Sequence, residues 1–303
     1  MINGFVVIDK PAGITSHDVV SRVRRILGTR KVGHTGTLDP FATGVLPVAV
    51  NDGTKAIPFL DEGVKCYEAV MQMGVATDTL DMTGEVILTA DWKSVTQETI
   101  LSVLKKFTGR LSQIPPMYSA IKRDGQPLYK LARQGLVVER AAREIDIHSL
   151  ELLSFVPPFV GFRVVCSRGT YVRTLADDMG ELLGCGGALK ELRRIASGPF
   201  EISTSVTLEG LEDAAHHGAI EILSVSPYAA LSHMPDIPLI DSGLDLVRHG
   251  RSPEWHDTGV SFPTAYNDGT LVRLTRNGTL AAVAECRLYG DDPPRIILKR
   301  VFM

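Results

Sequence analysis

Apolar positions fall into short runs and stripes whose spacing assigns most of the chain to elements. GFVVIDK, residues 4–10, is an apolar run closed by the turn triplet PAG and reads as a strand. Thr15 then offers a helix N-cap, and Asp18 three positions later completes a capping box. Val19, Val20, Val23, Ile26 and Leu27 follow at helical spacing and leave Arg22, Arg24 and Arg25 off the apolar stripe. GVLPVAV (44–50) and CYEAVMQMG (66–74) read as strands, the second running into the turn-rich ATDTLDMTGE (76–85). Residues 96–107 predict a helix, followed by the basic segment QIPPMYSAIKRDGQPLYKLARQG (113–135) with Tyr118 and Tyr129 interleaved. GFRVVCSRGTYVRTLADDMGELLG (161–184) reads as strand, Gly-hinged turn and helix, with a charged element, KELRR, close behind. Near Pro235–Pro238 the composition shifts, which places a domain boundary there. Beyond it, two alternating runs flank Asn277-Gly278, the sequence of a type I′ hairpin, so the tail predicts a small β-barrel-like unit.

Composition changes this picture little. The chain has 303 residues, 44% of them hydrophobic and 22% charged, as in ordinary globular proteins, and its length allows one large domain and a smaller one. Neither a signal-peptide pattern nor an apolar run of membrane-spanning length is present in the sequence, and the four cysteines form no CxxC pair. The reading is of a cytoplasmic protein with incidental thiols.

Charge changes it more. The net charge of −3 averages over strong segregation. Residues 19–38 carry five basic residues and no acid, and 110–143 carry seven against Asp124 and Glu139. Residues 201–236 carry six acids and no Lys or Arg. Two cationic surfaces and one anionic surface are expected, compatible both with nucleic-acid binding and with solvated faces.

The stretch GHTGTLDPFATG (33–44) presents one full charge, Asp39, among three glycines and a histidine. By shape it is either a structural loop or a loop that offers a carboxylate. Phosphate-loop, HExxH and GxSxG patterns do not occur, so nucleotide, zinc and serine-hydrolase chemistries lack support.

Together with GFVVIDKPAGITSHDVV, KVGHTGTLDPFATGVLPV, KCYEAVMQMG, IPPMYSAIKRDGQPLYKLARQG, SRGTYVRTLADDMG and LKELRR, that loop resembles the TruB family of tRNA pseudouridine synthases. The likeness covers nearly the whole chain in order, and its tail resembles a PUA-type RNA-binding module. NDGTKA at 51–56 departs from the family's usual Gly and Ala before Thr-Lys and reads as a loop difference.

The resemblance implies an α+β fold: a mixed, largely antiparallel central sheet with flanking helices over 1–236, and a β-rich PUA-like domain over 237–303. It implies isomerisation of uridine 55 in the tRNA T-loop on a flipped-out base, with Asp39 catalytic. Arg173 corresponds to the arginine paired with that acid, Tyr67 to the tyrosine that stacks on the base, and Tyr171 to a second active-site tyrosine. Leu192 corresponds to an apolar wall, and His34 to a histidine that contacts the RNA. Lys10 takes a supporting role, and the insertion around 110–143, with Lys122, Arg123 and Lys130, grips the T-arm. No cofactor, metal, guide RNA or membrane is expected, and the chain is expected to act as a monomer. The alternatives are a synthase for another RNA, a non-catalytic tRNA-binding or folding protein, and a glycosylase that releases free base.

Overall fold

The opening apolar run forms the strand Gly4–Lys10, buried along nearly its whole length as expected of an interior strand covered on both faces. The computed structural model describes residues 2–61, 63–123, 125–260, 266–289 and 292–303; Asp124 of the basic segment lies outside the described residues. Helix Ser16–Leu27 begins at the predicted cap: the Thr15 hydroxyl accepts from the Asp18 amide at 3.1 Å, and the Asp18 carboxylate accepts from the Thr15 amide at 2.9 Å. The predicted helix at 96–107 spans Gln97–Lys106, again capped by a threonine, Thr96.

The central sheet has ten strands. Eight form a path in the order Ser224–Val225, Gly4–Lys10, Thr43–Val50, Gly187–Ser197, Val64–Met73, Phe159–Ser167, Arg143–Val156, Gly109–Gln113. Pairings along this path are antiparallel except that of Thr43–Val50 with Gly187–Ser197. The sheet is therefore mixed and largely antiparallel. The charged element KELRR lies in Gly187–Ser197, near the centre of this sheet. Register shifts between Leu189 and Glu191 and between Arg194 and Ala196 break the simple alternation. Lys190 and Glu191 stay exposed while Leu192 and Arg194 turn inward.

One face of the sheet is covered by helices. Val19, Val23, Ile100, Leu104, Leu175, Met179 and Leu211 share a core with Ala69, Met71 and Phe162. Phe5, Val7, Val45 and Ala49, on the opposite face by strand alternation, pack against Leu280, Val283 and Phe302 of a second sheet. That sheet runs in the order Asp236–Pro238, Leu271–Arg276, Thr279–Tyr289, Asp292–Val301 and has its own core around Ile237, Val247, Val272 and Leu274. The hairpin turns at Asn277 and Gly278, with φ of 50° and 73°, the positive values a type I′ turn requires at both positions. Arg273 joins the two units: its Nε and Nη1 donate to the Met234 and Tyr228 carbonyls at 3.0 and 2.9 Å, and its guanidinium lies 4.5 Å from the Tyr228 ring centre.

The NDGTKA departure is in part a short helix, Gly53–Ala56, where a loop was expected. A Cβ at residue 53 would lie 1.9 Å from the Gly4 carbonyl oxygen, so glycine is required at that step, while Asn51 takes the positive φ of 51° that Asn tolerates. Among the described residues no helix is long and apolar enough to cross a membrane.

Candidate active site

The loop that carries Asp39 leaves the strand Val32–His34 and returns as Thr43–Val50. Its carbonyls are held from below by two buried cations. Lys10 Nζ donates to the Pro40 carbonyl at 3.1 Å and to that of Pro11 at 2.9 Å. Arg194 Nε donates to the Val45 carbonyl at 2.7 Å and Nη2 to that of Gly36 at 3.0 Å. Neither side chain reaches solvent. From the side, the Ser16 hydroxyl accepts from the Leu38 amide at 2.9 Å and donates to the Leu38 carbonyl at 3.1 Å. Gly44 follows from this packing: its φ is +98°, and a Cβ there would lie 2.2 Å from the Arg194 carbonyl oxygen.

Held this way, Asp39 meets Arg173. The guanidinium Nε donates to Asp39 Oδ2 at 2.9 Å and Nη2 to Oδ1 at 3.2 Å, a two-pronged contact that fixes the carboxylate plane. Nη1 and Nη2 also donate to the Thr79 and Tyr118 carbonyls at 2.9 and 2.7 Å. Asp81 Oδ2 lies 3.7 Å from Nε. Its Oδ1 accepts from the Thr79 hydroxyl and the Thr83 amide, each at 3.0 Å. The Arg173 side chain is only 4% exposed, whereas that of Asp39 keeps 34%. Arg173 sits in the first turn of helix Val172–Leu182, where the helix dipole disfavours a cation by roughly 0.3–1 kcal/mol. Two carboxylates and two carbonyls offset that penalty. Burial raises the Asp39 pKa above its ordinary value; the charge and hydrogen bonds of Arg173 oppose the rise, Asp81 adds to it and Lys10 opposes it.

Asp39 and Arg173 line a cavity of roughly 340 Å³ together with Lys65, Tyr67, Tyr171 and Leu192, within the size range of small-molecule sites. Ser119, Ala120 and Ile121 of the basic segment form another wall. Tyr67 is 7% exposed, on the strand Val64–Met73, and burial raises its pKa while the nearby Arg194 opposes that rise. The Tyr171 backbone is clamped by Gln113: its amide donates to Gln113 Oε1 at 2.8 Å, and Gln113 Nε2 donates to its carbonyl at 3.1 Å. Lys10 lies behind the loop, its pKa lowered to about 8 by burial, with Asp39 opposing and Arg194 adding to the fall.

Residues 24–172 match the family described as TruB family pseudouridylate synthase (N terminal domain), and 173–224 match the tRNA pseudouridylate synthase B C-terminal domain. The tRNA pseudouridine synthase B of Geobacter sulfurreducens is 52% identical over 303 residues, covering 99% of this chain and 100% of that protein. The chain belongs to the TruB family. The TruB-family protein of Geotalea uraniireducens, also named tRNA pseudouridine synthase B, is 53% identical over 96% of this chain and 94% of its own length. Among solved structures, a Cbf5-Nop10-Gar1 complex is similar with a TM-score of 0.76 at 29% identity, covering 99% of this chain and 85% of that one. The archaeal box H/ACA sRNP Nop10-Cbf5 complex gives 0.75 at 29% identity, with 99% and 86% coverage.

Of the positions that the TruB resemblance selects, the structure gathers Asp39, Tyr67, Tyr171, Arg173 and Leu192 around one cavity. Lys10 holds the loop from behind and His34 ends the strand that leads into it; neither lines the cavity. His34 Nδ1 is buried without a hydrogen-bond partner among the described residues, and burial, Arg194 and His17 lower its pKa. Lys122, Arg123 and Lys130 are exposed and lie outside the cavity. Four further participants escape a sequence reading: Thr79 and Asp81 inside the stretch taken as turns, Gln113, and Arg194. The run Thr79-Leu80-Asp81-Met82-Thr83, with hydroxyls two positions on either side of an acid, is the one local signal that could have found Asp81.

Stacking gives a direct test of Tyr67. Tyr67→Phe keeps the ring face and is expected to bind a T-arm stem-loop with near-normal affinity. Tyr67→Leu is expected to lose about 1–3 kcal/mol of binding. Equal affinity of the Leu variant in a filter-binding titration would remove Tyr67 from base recognition.

Proposed function

We propose that this protein isomerises uridine to pseudouridine in tRNA at position 55 of the T-loop, with Asp39 as the catalytic residue. The observation that carries the reading is the Asp39–Arg173 pair on the wall of a nucleoside-sized cavity, in a chain 52% identical end to end to a tRNA pseudouridine synthase B.

The reaction breaks N1–C1′, turns the uracil and joins C5 to C1′; C5 gives up its proton and N1 gains one, so the product is an isomer formed with no net loss of atoms or electrons. A carboxylate suits it as a nucleophile or as a base toward the sugar. Arg173 aims Asp39, Tyr67 supplies a ring face for the flipped base, and Leu192 and Tyr171 complete walls that exclude water from the reacting sugar carbon. The chain acts without a guide RNA, as a cytoplasmic monomer. The segment 110–143 supports this reading by placing exposed Lys122, Arg123 and Lys130 next to the wall residues Ser119–Ile121. Residues 1–236 form the catalytic domain and 237–303 a PUA-like RNA-binding domain, in keeping with a second sheet that starts at Asp236.

Incubation with an unmodified T-arm stem-loop, followed by pseudouridine mapping, tests the reading. Pseudouridine at position 55 supports it. Free uracil would instead mean a glycosylase, and tight binding without product a folding or binding protein. Neutralising Lys122, Arg123 and Lys130 together is expected to weaken stem-loop binding and to flatten the plot of log K against log salt. The slope should fall by about one unit or slightly less for each phosphate the protein no longer neutralises. At saturating RNA turnover should largely recover. An unchanged slope and affinity would make this segment a solvated face.

A further inference from the structure

The helix Ser16–Leu27 begins at the active site and carries cations that the chemistry above leaves unused. Its first residue, Ser16, is tied to the loop of Asp39 through both backbone groups of Leu38. From there the helix runs about 18 Å, at 1.5 Å per residue. Arg22 and Arg25, one turn apart, project from its exposed side, and Arg30 is exposed just past the Gly28 cap. Among the described residues none of the three forms an ion pair within 4.0 Å. Arg24 is different: its Nη2 donates to the Val32 carbonyl at 2.9 Å and steadies the strand that ends in His34.

The neighbouring helix gives this track a direction. Leu208–His216 shares its core with the first helix through Leu211, Val19 and Val23, yet its exposed side bears Glu209, Glu212 and Asp213. Two helices of opposite charge thus lie together without an ion pair between them among the described residues. A polyanion is attracted along one and repelled from the other. The basic segment 113–135 reaches the cavity through the Ser119–Ile121 wall, whereas this track reaches it through Thr37–Asp39.

Resting on the tRNA-modifying function above, we propose that Arg22, Arg25 and Arg30 form a second RNA-docking track, which holds phosphates of the tRNA outside the T-arm. The partner is the sugar-phosphate backbone of the same substrate, contacted through charge and without reading sequence. The track fixes the direction in which the body of the tRNA leaves the active site.

The experiment compares Arg22→Gln/Arg25→Gln/Arg30→Gln with the charge-preserving Lys triple variant and wild type, on full-length unmodified tRNA and on the isolated T-arm stem-loop. Gln and Lys are both good helix formers, so the helix is retained in each. The Gln variant is expected to bind full-length tRNA about tenfold more weakly near 0.1 M salt, with the log K against log salt slope reduced by about two units. Its affinity for the stem-loop should equal that of wild type, its kcat at saturating tRNA should be unchanged, and the Lys variant should bind both RNAs normally. Equal losses on both RNAs would overturn the proposal by placing the track under the T-arm. No loss on either would overturn it by making the helix a solvated face. If the triple variant melts early, the Arg22→Gln/Arg25→Gln pair gives the same readout. Absence of pseudouridine from wild-type reactions would defeat the activity reading while leaving these binding comparisons intact.

Discussion

Asp39→Asn is expected to form pseudouridine at less than about a thousandth of the wild-type rate, whether the carboxylate acts as nucleophile or as base. The amide keeps the shape and can still accept from Arg173 Nε, but it carries no charge and presents an N–H₂ to a guanidinium that also donates. Folding should tolerate the change. Burial raises the folded Asp39 pKa above its unfolded value, so ionised Asp39 weakens the fold above that folded pKa, and the burden lifts as pH falls through it. The asparagine variant carries no such burden at neutral pH. Single-turnover assays with a gel-shift control check both halves: binding should persist while product disappears. More than trace product would sink the assignment of Asp39.

Arg173→Lys is expected to lower kcat by roughly a hundredfold and to move the acid limb of the pH–rate profile upward. Lysine offers a point charge in place of a planar fork, so the two hydrogen bonds of 2.9 and 3.2 Å cannot both be kept. The direction of the pH effect follows from the electrostatics. Arg173 opposes the burial that raises the Asp39 pKa, so weakening Arg173 raises that pKa further. A larger share of Asp39 is then protonated at any pH on the acid limb. Arg173→Met would be a poorer probe, because it strands Asp81 in the interior, and breaking such a buried pair costs about 3–5 kcal/mol of stability. Wild-type rates with an unmoved acid limb in Arg173→Lys would show that the pairing has no part in turnover.

Features decided within a few residues were legible in the sequence. The Thr15–Asp18 capping box, the Asn277-Gly278 turn and the strand Gly4–Lys10 follow from local chemistry alone. The site was legible only through the family blocks, because the contacts that assemble it around Arg173 are distant in sequence: Arg173 lies 134 positions from Asp39 and 94 from Thr79. Nothing near Arg194 announces a fully buried arginine; KELRR reads as a charged element until the sheet places it between two earlier strands. Asp81 was hidden for the opposite reason. Its threonine-rich surroundings are typical of turns, and its buried partner comes from another element.

The strand Gly187–Ser197 sits between Thr43–Val50 and Val64–Met73, which are neighbours along the chain but not in the sheet. It brings Leu192 to the cavity and Arg194 to the underside of the loop of Asp39. During synthesis the first two strands must therefore wait, unpaired on their facing edges, until more than a hundred further residues have left the ribosome. Long-range pairings of this kind slow folding and leave sticky edges exposed in the meantime. The protein cannot fasten the loop of Asp39 until this strand exists, so a chain terminated before residue 187 lacks both Leu192 at the cavity and Arg194 beneath the loop.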